Sequence, residues 1–303
     1  MPKKRLIITG PAGGGTGKTT STAIVASLAA LSGLTCLLVD ADVTTRGLLG
    51  WLGDERVARL PADALEAGGF TASLLERAAD ADLVIVDAGA AAMYVPPVGP
   101  TIADCVQRFT EKGWRVTLLL SATAAKAGLR RDLERAVASF GEIADIFGAF
   151  TMTAPRSRFE ALEECLKGCP TLEVPALMPP LLSEMIAHGF LPSDYVTHPP
   201  MGRKLASGLL AARLLDLARQ PAMRSLFDTS LAVARLELEA ERAPRRAYAI
   251  PRSIADRMLD LDCAELLALD ELRGCVTAGD AATLGAARAY VRAFAARAAG
   301  LRS

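Results

Sequence analysis

The sequence predicts an α/β protein: a three-layer sandwich with a mostly parallel sheet, followed by a helical C-terminal extension. Three observations carry the prediction. Short, continuous apolar runs recur along the first part of the 303-residue chain, as in strands buried on both faces. Segments of helical periodicity separate these runs, and parallel neighbours need such crossovers. After Gln220-Pro221 the strand-like runs stop and Ala, Leu, Arg and Glu dominate. The expected units are an α/β domain over residues 1–220 and a helical extension over 221–303.

In order, residues 5–9 read as a buried strand, followed by a Gly-rich loop and a helix over 18–32. Residues 35–40 (TCLLVD) are the second strand; 82–87 (DLVIVD), 115–120 (RVTLLL), 147–152 and 172–174 are further ones. The sheet is expected to hold about seven strands. Helical patterns lie at 73–79, 102–112, 129–139 and 159–167. Residues 22–39 are apolar enough to suggest a bilayer span, but Ser27, Ser32 and Gly33 divide them and a β-branched run follows. Helix, turn and buried strand explain that stretch better.

Composition narrows the function. A hydrophobic fraction of 51% supplies a sizeable core, so disorder is not expected outside the ends. Lys+Arg 34 balances Asp+Glu 34, so any nucleic-acid or membrane contact must come from a local patch. Cys36, Cys105, Cys165, Cys169, Cys263 and Cys275 have no framework spacing. Cys165 and Cys169 stand one helical turn apart, as in half a metal site, yet neither His188 nor His198 is spaced to complete it. Buried thiols of a reducing compartment are expected. The opening MPKKRLIITG is basic, with an apolar run too short for a signal peptide, so a cytoplasmic location is expected.

The chemistry is concentrated in Gly10-Pro11-Ala12-Gly13-Gly14-Gly15-Thr16-Gly17-Lys18-Thr19-Thr20. From Ala12 it fits the phosphate-loop pattern Ala/Gly-x-x-x-x-Gly-Lys-Ser/Thr, with Ala where Gly is commoner. A phosphate chain needs several inward-turned backbone N–H groups, and glycine permits that close approach. The loop runs into a helix N-terminus, whose unpaired N–H groups favour an anion. The expected nucleotide contacts are Gly13, Gly14, Gly15, Thr16, Gly17, Lys18, Thr19 and Thr20. Lys18 would reach the β- and γ-phosphates and the Thr19 hydroxyl would bind Mg²⁺, which makes this a P-loop NTPase fold.

About twenty residues after Lys18 the next strand ends in Asp40-Ala41-Asp42, and a later one ends in Val86-Asp87-Ala88-Gly89. With Gly14 to Thr19, Asp40 with Asp42, and Asp87 with Gly89, the chain resembles the ParA/MinD family of partitioning and positioning ATPases. These are the deviant Walker A, SIMIBI class of P-loop proteins, and the resemblance spans roughly residues 4–215. It implies that Asp42 orients an attacking water, that Asp87 holds Mg²⁺ directly or through water, and that Asp40 supports the same shell. An AAA-type ATPase would follow its Walker B Asp with Glu, but Ala88 stands there. Residues 83–92, Val95-Pro96-Pro97-Val98, and 172–177 before a helix look like the TraL/StbB branch, from conjugative and mobilisable plasmids.

The chain departs from that family at Gly13, where most members carry a second, signature Lys that contacts phosphate across a nucleotide-bound dimer. Lys126, Arg130 and Arg131 could supply such a charge, although a solvated helix face is the better reading of them. The family's adenine-reading Asn has no counterpart in Thr151-Met152-Thr153-Ala154-Pro155, so ATP rests on analogy and GTP is not excluded. Within the extension, Tyr290, Val291, Phe294 and Leu301 share a helical face bordered by Arg288, Arg292 and Arg302, better read as docked on its own domain than on a membrane. Arg242, Arg245, Arg246, Arg252 and Arg257, around Tyr248, form a basic stretch that could touch DNA nonspecifically, but its acidic flanks at 236–241 and 256–262 fit a solvated linker equally; Met201-Gly202-Arg203-Lys204 is a similar, weaker candidate.

The expected function is an ATP-dependent switch of the ParA/MinD type. It would bind Mg-ATP, form a nucleotide-dependent homodimer, hydrolyse slowly, and engage a protein partner of a transfer or partition system. The alternative is a non-hydrolysing regulatory or scaffold protein, with the loop kept for binding alone.

Overall fold

A computed structural model describes residues 4–10, 15–42, 45–59, 69–88, 98–124, 128–166 and 168–242. Its centre is a seven-stranded sheet: β1 (Arg5–Gly10), β2 (Cys36–Asp40), β3 (Val57–Arg59), β4 (Leu83–Asp87), β5 (Arg115–Ala122), β6 (Asp145–Thr151) and β7 (Thr171–Val174). The strand order is β3-β2-β4-β1-β5-β6-β7, and every pairing is parallel. The six apolar runs read from sequence are six of these strands. The seventh, β3, has only Val57 buried among its three residues, so no apolar run announced it.

Alternating side chains feed two cores, as a sheet covered on both faces requires. Leu6 and Ile8 of β1 face one core with Val84, Val86, Leu118 and Leu120. Ile7 faces the other with Leu83, Ile85, Leu119 and Ala149. The first core is closed by α3 (Gly69–Arg77), α4 (Val98–Glu111), α5 (Leu129–Phe140) and α6 (Glu160–Cys165). The second is closed by α1 (Lys18–Leu31), α2 (Gly47–Leu52), α7 (Pro179–His188), α8 (Pro192–Thr197) and α9 (Lys204–Ala218).

Helix α1 explains the long apolar stretch of the sequence. The sheet lies on one side of it and α8, α9 and a later helix on the others, so Ala23 to Ala29 are all buried. A helix covered all round is apolar all round. The turn at Ser32-Gly33, with Gly33 at φ 78°, then sends the chain into β2. No helix among the described residues is long and apolar enough to cross a membrane.

The helical region that begins after Gln220 starts with α10 (Pro221–Leu226) and α11 (Ser230–Arg242). Met223, Leu226, Ala232, Leu236 and Ala240 are buried in the same core as α1. Polar bonds tie this segment to the sheet. Arg5, buried at the start of β1, donates from Nη2 to the Ser225 carbonyl at 3.0 Å and from Nη1 to Thr117 Oγ1 at 2.5 Å. The Gln220 amide exchanges two hydrogen bonds with the Glu173 backbone, at 2.9 and 3.1 Å, and so covers the exposed edge of β7. The basic stretch from Arg245 to Arg257 and the helical pattern at 283–301 lie outside the described residues.

Of the cysteines, Cys105 is buried, while Cys36, Cys165 and Cys169 are half-buried free thiols. The expectation of buried thiols thus holds for Cys105 alone among these four. Cys165 donates to the Ala161 carbonyl at 3.3 Å, and no group of three or more His, Cys, Asp or Glu among the described residues could hold a metal ion. Cys263 and Cys275 lie outside the described residues.

Leu236 is fully buried on α11 whereas Leu238 is 55% exposed. Leu236→Ala is expected to lower the urea-unfolding free energy by about 2–5 kcal/mol, and Leu238→Ala by no more than about 0.5 kcal/mol. Equal, small effects would show that α11 is not part of the core.

Candidate phosphate and metal site

The site lies at the C-terminal edge of the sheet, where open parallel sheets present their loops to ligands. Register brings three polar strand ends side by side: Thr9 of β1 opposite Asp87 of β4, and Asp87 opposite Asp40 of β2. Thr9 and Asp87 lie in alternation with Ile7 and Ile85, so their side chains point to the face on which α1 sits.

The loop between β1 and α1 enters the helix through two left-handed glycines, Gly15 at φ 78° and Gly17 at φ 82°. Gly17 is also the residue that precedes the helix, and it has no side chain to cap the N–H groups of the first turn. At Gly17 a side chain is excluded twice. Its φ disfavours any L residue, and a Cβ there would lie 2.6 Å from Thr151 Oγ1 at the end of β6. Thr151, read from sequence only within a stretch that lacks an adenine-binding Asn, therefore buttresses the end of the phosphate loop. Thr16 and Lys18 are buried, and Thr19 and Thr20 half-buried. Gly13, Gly14 and Gly89 lie outside the described residues.

Thr19 Oγ1 donates to Asp87 Oδ2 at 2.7 Å. Thr9 Oγ1 lies 3.2 Å from Asp87 Oδ1, 3.0 Å from the Val86 carbonyl and 2.8 Å from Thr22 Oγ1, so two buried threonines back the carboxylate from below. Burial pushes the Asp87 carboxyl up to about 6; the neighbouring Asp40 charge adds to that, against the pull of the Thr19 and Thr9 hydrogen bonds and of Lys18. Asp40 is also raised, again chiefly by burial. It accepts backbone N–H bonds from Asp42 and Leu49, each at 2.9 Å, and so fixes the chain that leaves β2. Asp42 is half-buried; its carboxylate closes a turn by accepting from the Thr45 N–H, at 3.1 Å, and the Thr45 hydroxyl.

These groups suit Mg²⁺ by their chemistry. Two buried carboxylates and a threonine hydroxyl converge as hard oxygen donors beside a loop of backbone N–H groups. Mg²⁺ characteristically takes one or two carboxylates and completes its shell with phosphates and water, so a full protein cage is not required. Gly47 keeps the corner open, since a Cβ there would come within 3.0 Å of Thr19 Oγ1. Sequence reasoning found Thr19, Asp40, Asp42 and Asp87 but missed Thr9, Thr22, Gly47 and Thr151. Only Thr9 carried a usable signal, a polar residue closing an otherwise apolar run.

A family profile described as the CobQ/CobB/MinD/ParA nucleotide binding domain matches residues 6–216. No curated protein matches the chain significantly. Among solved structures, MinD in the MinC:MinD cell division complex of Aquifex aeolicus is similar at 17% identity, over 74% of this chain and 95% of that one, with TM-score 0.48. MinD from the same organism is similar at 18% identity, over 77% and 97%, with TM-score 0.45. FlhF complexed with GTP/Mg²⁺ is similar at 14% identity, over 58% of this chain and 66% of that one, with TM-score 0.42.

The burial of Asp87 has a pH signature. With its pKa raised from 3.8 to about 6, the Asp87 contribution to folding stability is most favourable at low pH and falls as pH rises between those values, by about 3 kcal/mol for a shift of about two units. In EDTA, Asp87→Asn should therefore be the more stable protein at pH 7.5, with the difference vanishing toward pH 4; a variant less stable at both pH values contradicts the assignment. Gly17→Ala should lose about 1–2 kcal/mol from the left-handed backbone alone, and removing the Thr151 hydroxyl in the same chain should restore only part of the melting temperature.

Proposed function

Because the chain belongs to the CobQ/CobB/MinD/ParA nucleotide-binding family, we propose that it is an ATP-dependent switch that binds Mg-ATP at residues 13–20 and hydrolyses it slowly. The observation that carries this reading is the 2.7 Å hydrogen bond from Thr19, in the first turn of the loop's helix, to the buried Asp87 carboxylate. That pair is what a P-loop hydroxyl and a Walker B carboxylate need in order to share one cation.

When bound, Mg²⁺ would neutralise charge on the phosphates and polarise the bond to the terminal one. The chain's own groups supply positioning. Lys18, in the first turn of α1, would contact the phosphate chain together with backbone N–H groups at the helix N-terminus. Thr19 and Asp87 hold the cation side, with Asp40 supporting the same shell. Asp42 leaves its turn with Thr45 and accepts a hydrogen bond from the attacking water, which orients it in line with the leaving oxygen. Loss of the terminal phosphate would let the Asp42-Thr45 turn re-form, and this loop is thus the element that reports nucleotide state.

In this reading residues 1–220 form the nucleotide-binding unit and 221–303 a helical extension whose first two helices pack on it. The nucleotide-bound form is a homodimer acting in the cytoplasm with a protein partner of a plasmid transfer or partition system, in line with the TraL/StbB-like segments. Nonspecific DNA contact would fall to the basic stretch after Arg242; of the other basic candidate, Arg203 is committed to Glu184 at 2.9 Å. ATP is favoured over GTP by family resemblance alone.

Single-turnover hydrolysis with Mg²⁺ separates this switch from the non-hydrolysing scaffold. The wild type should release phosphate from ATP. Lys18→Ala should lose binding, and Asp42→Ala should bind as the wild type does while losing about 10²-fold or more in rate. Tight binding without phosphate release in the wild type would assign the scaffold role instead.

A further inference from the structure

Phosphoryl transfer develops charge on the terminal phosphate, and catalysis depends on a cation held against it. Of the cations that sequence offers for that task beyond Lys18, Arg130 is bonded to Glu134 at 2.9 Å on the surface of α5, Arg131 is exposed on the same helix, and Lys126 lies outside the described residues.

A different arginine stands at the site. Arg46 is the one non-glycine residue with positive φ among the described residues, at φ 47° and ψ 45°. The left-handed region costs an L residue about 1–2 kcal/mol, which Gly would avoid. Its backbone is held there from both sides: the Arg46 N–H donates to the Asp42 carbonyl at 3.1 Å, and the Arg46 carbonyl accepts from Gly50 N at 2.8 Å. The side chain is exposed, and no described residue bonds its guanidinium. The next residue, Gly47, is packed so closely on Thr19 that a Cβ would meet its hydroxyl at 3.0 Å. Arg46 is one Cα step of about 3.8 Å from that contact. An exposed arginine in a costly backbone conformation, its guanidinium without a partner among the described residues, thus stands one residue before the Thr19 contact and four after Asp42.

We infer that Arg46 is a catalytic residue for hydrolysis: its guanidinium contacts the terminal phosphate and stabilises the charge that develops there. The inference rests on the nucleotide reading above and adds to it the residue that senses the third phosphate. The planar fork of a guanidinium suits a phosphate better than an ammonium does.

The test compares wild type, Arg46→Gly, Arg46→Ala and Arg46→Lys. Calorimetric titrations with Mg²⁺ use ADP and a non-hydrolysable ATP analogue, alongside the melting temperature of the nucleotide-free protein. Arg46→Gly and Arg46→Ala should bind the triphosphate analogue about 10- to 100-fold more weakly and ADP unchanged, with Arg46→Lys between. Arg46→Gly alone should melt higher than wild type, since it removes the strain, so weaker binding cannot be ascribed to a damaged fold. Single-turnover hydrolysis in that variant should fall on the order of 10³-fold. An unchanged triphosphate-to-diphosphate ratio in both truncated variants overturns the role of Arg46 and leaves nucleotide binding intact. A wild type that binds neither nucleotide overturns the nucleotide reading itself, and this inference with it.

Discussion

A carboxylate buried at the end of a central strand is the constraint on which the rest of this molecule depends. Asp87 is 2% exposed, and a charge in that position is tolerated only with donors in place. The donors come from two neighbouring segments: Thr9 from the adjacent strand and Thr19 from the first turn of α1. Both are placed by register and by the left-handed turn at Gly17, so the loop conformation, the strand order and the carboxylate specify one another. Slipping β1 against β4 by one residue would bring Ile8 or Gly10 opposite Asp87 in place of Thr9 and exchange the two cores.

Helix α1 transmits the same constraint to the rest of the fold. Because its first turn must present N–H groups and the Thr19 hydroxyl to the sheet edge, its body lies flat on β1 and β4, and its other sides need covering. Helices α8, α9 and α11 cover them. Even the few polar groups of the helix are used in this way: the Ser27 hydroxyl bonds the Ala23 carbonyl at 2.8 Å and accepts the Ser193 N–H at 3.1 Å, joining α1 to the start of α8. Residues of α10 and α11 thus enter the same core, although composition alone marked a change after 220. Composition registers the end of strand-forming sequence, whereas burial depends on which faces remain uncovered.

What the sequence disclosed follows the same logic. Buried parallel strands must be apolar throughout, so residues 82–87 and 115–120 were legible as runs, and the phosphate loop was legible because only a few residue types can make its backbone. What stayed hidden depends on partners distant in sequence. Strand β3 is three residues long and pairs only at an edge. Gly47 and Thr151 look like ordinary loop and strand-end residues until α1 is laid against them. Gln220, an unremarkable polar residue before a proline, closes the edge of β7 through its side chain. Arg46 gave no signal, because its peculiarity is a backbone angle.

The two ends of the sheet differ in a way that bears on how such a site works. At the N-terminal end the buried charge of Arg5 is matched by Thr117, the Ser225 carbonyl and Asp145, the last at 3.4 Å. Nothing there requires a ligand. At the opposite end lie two carboxylates raised by burial, left-handed glycines and an arginine in a costly conformation. Three of the four buried hydroxyls without a partner among the described residues, those of Ser21, Ser121 and Thr151, belong to the same end. The buried carboxylates, the unpartnered hydroxyls and the left-handed arginine each leave this end less stable than a fully satisfied core would be. A molecule that brings a cation to the carboxylates and an anion to the loop relieves several of these at once, and whatever binds the folded state in this way stabilises it by mass action.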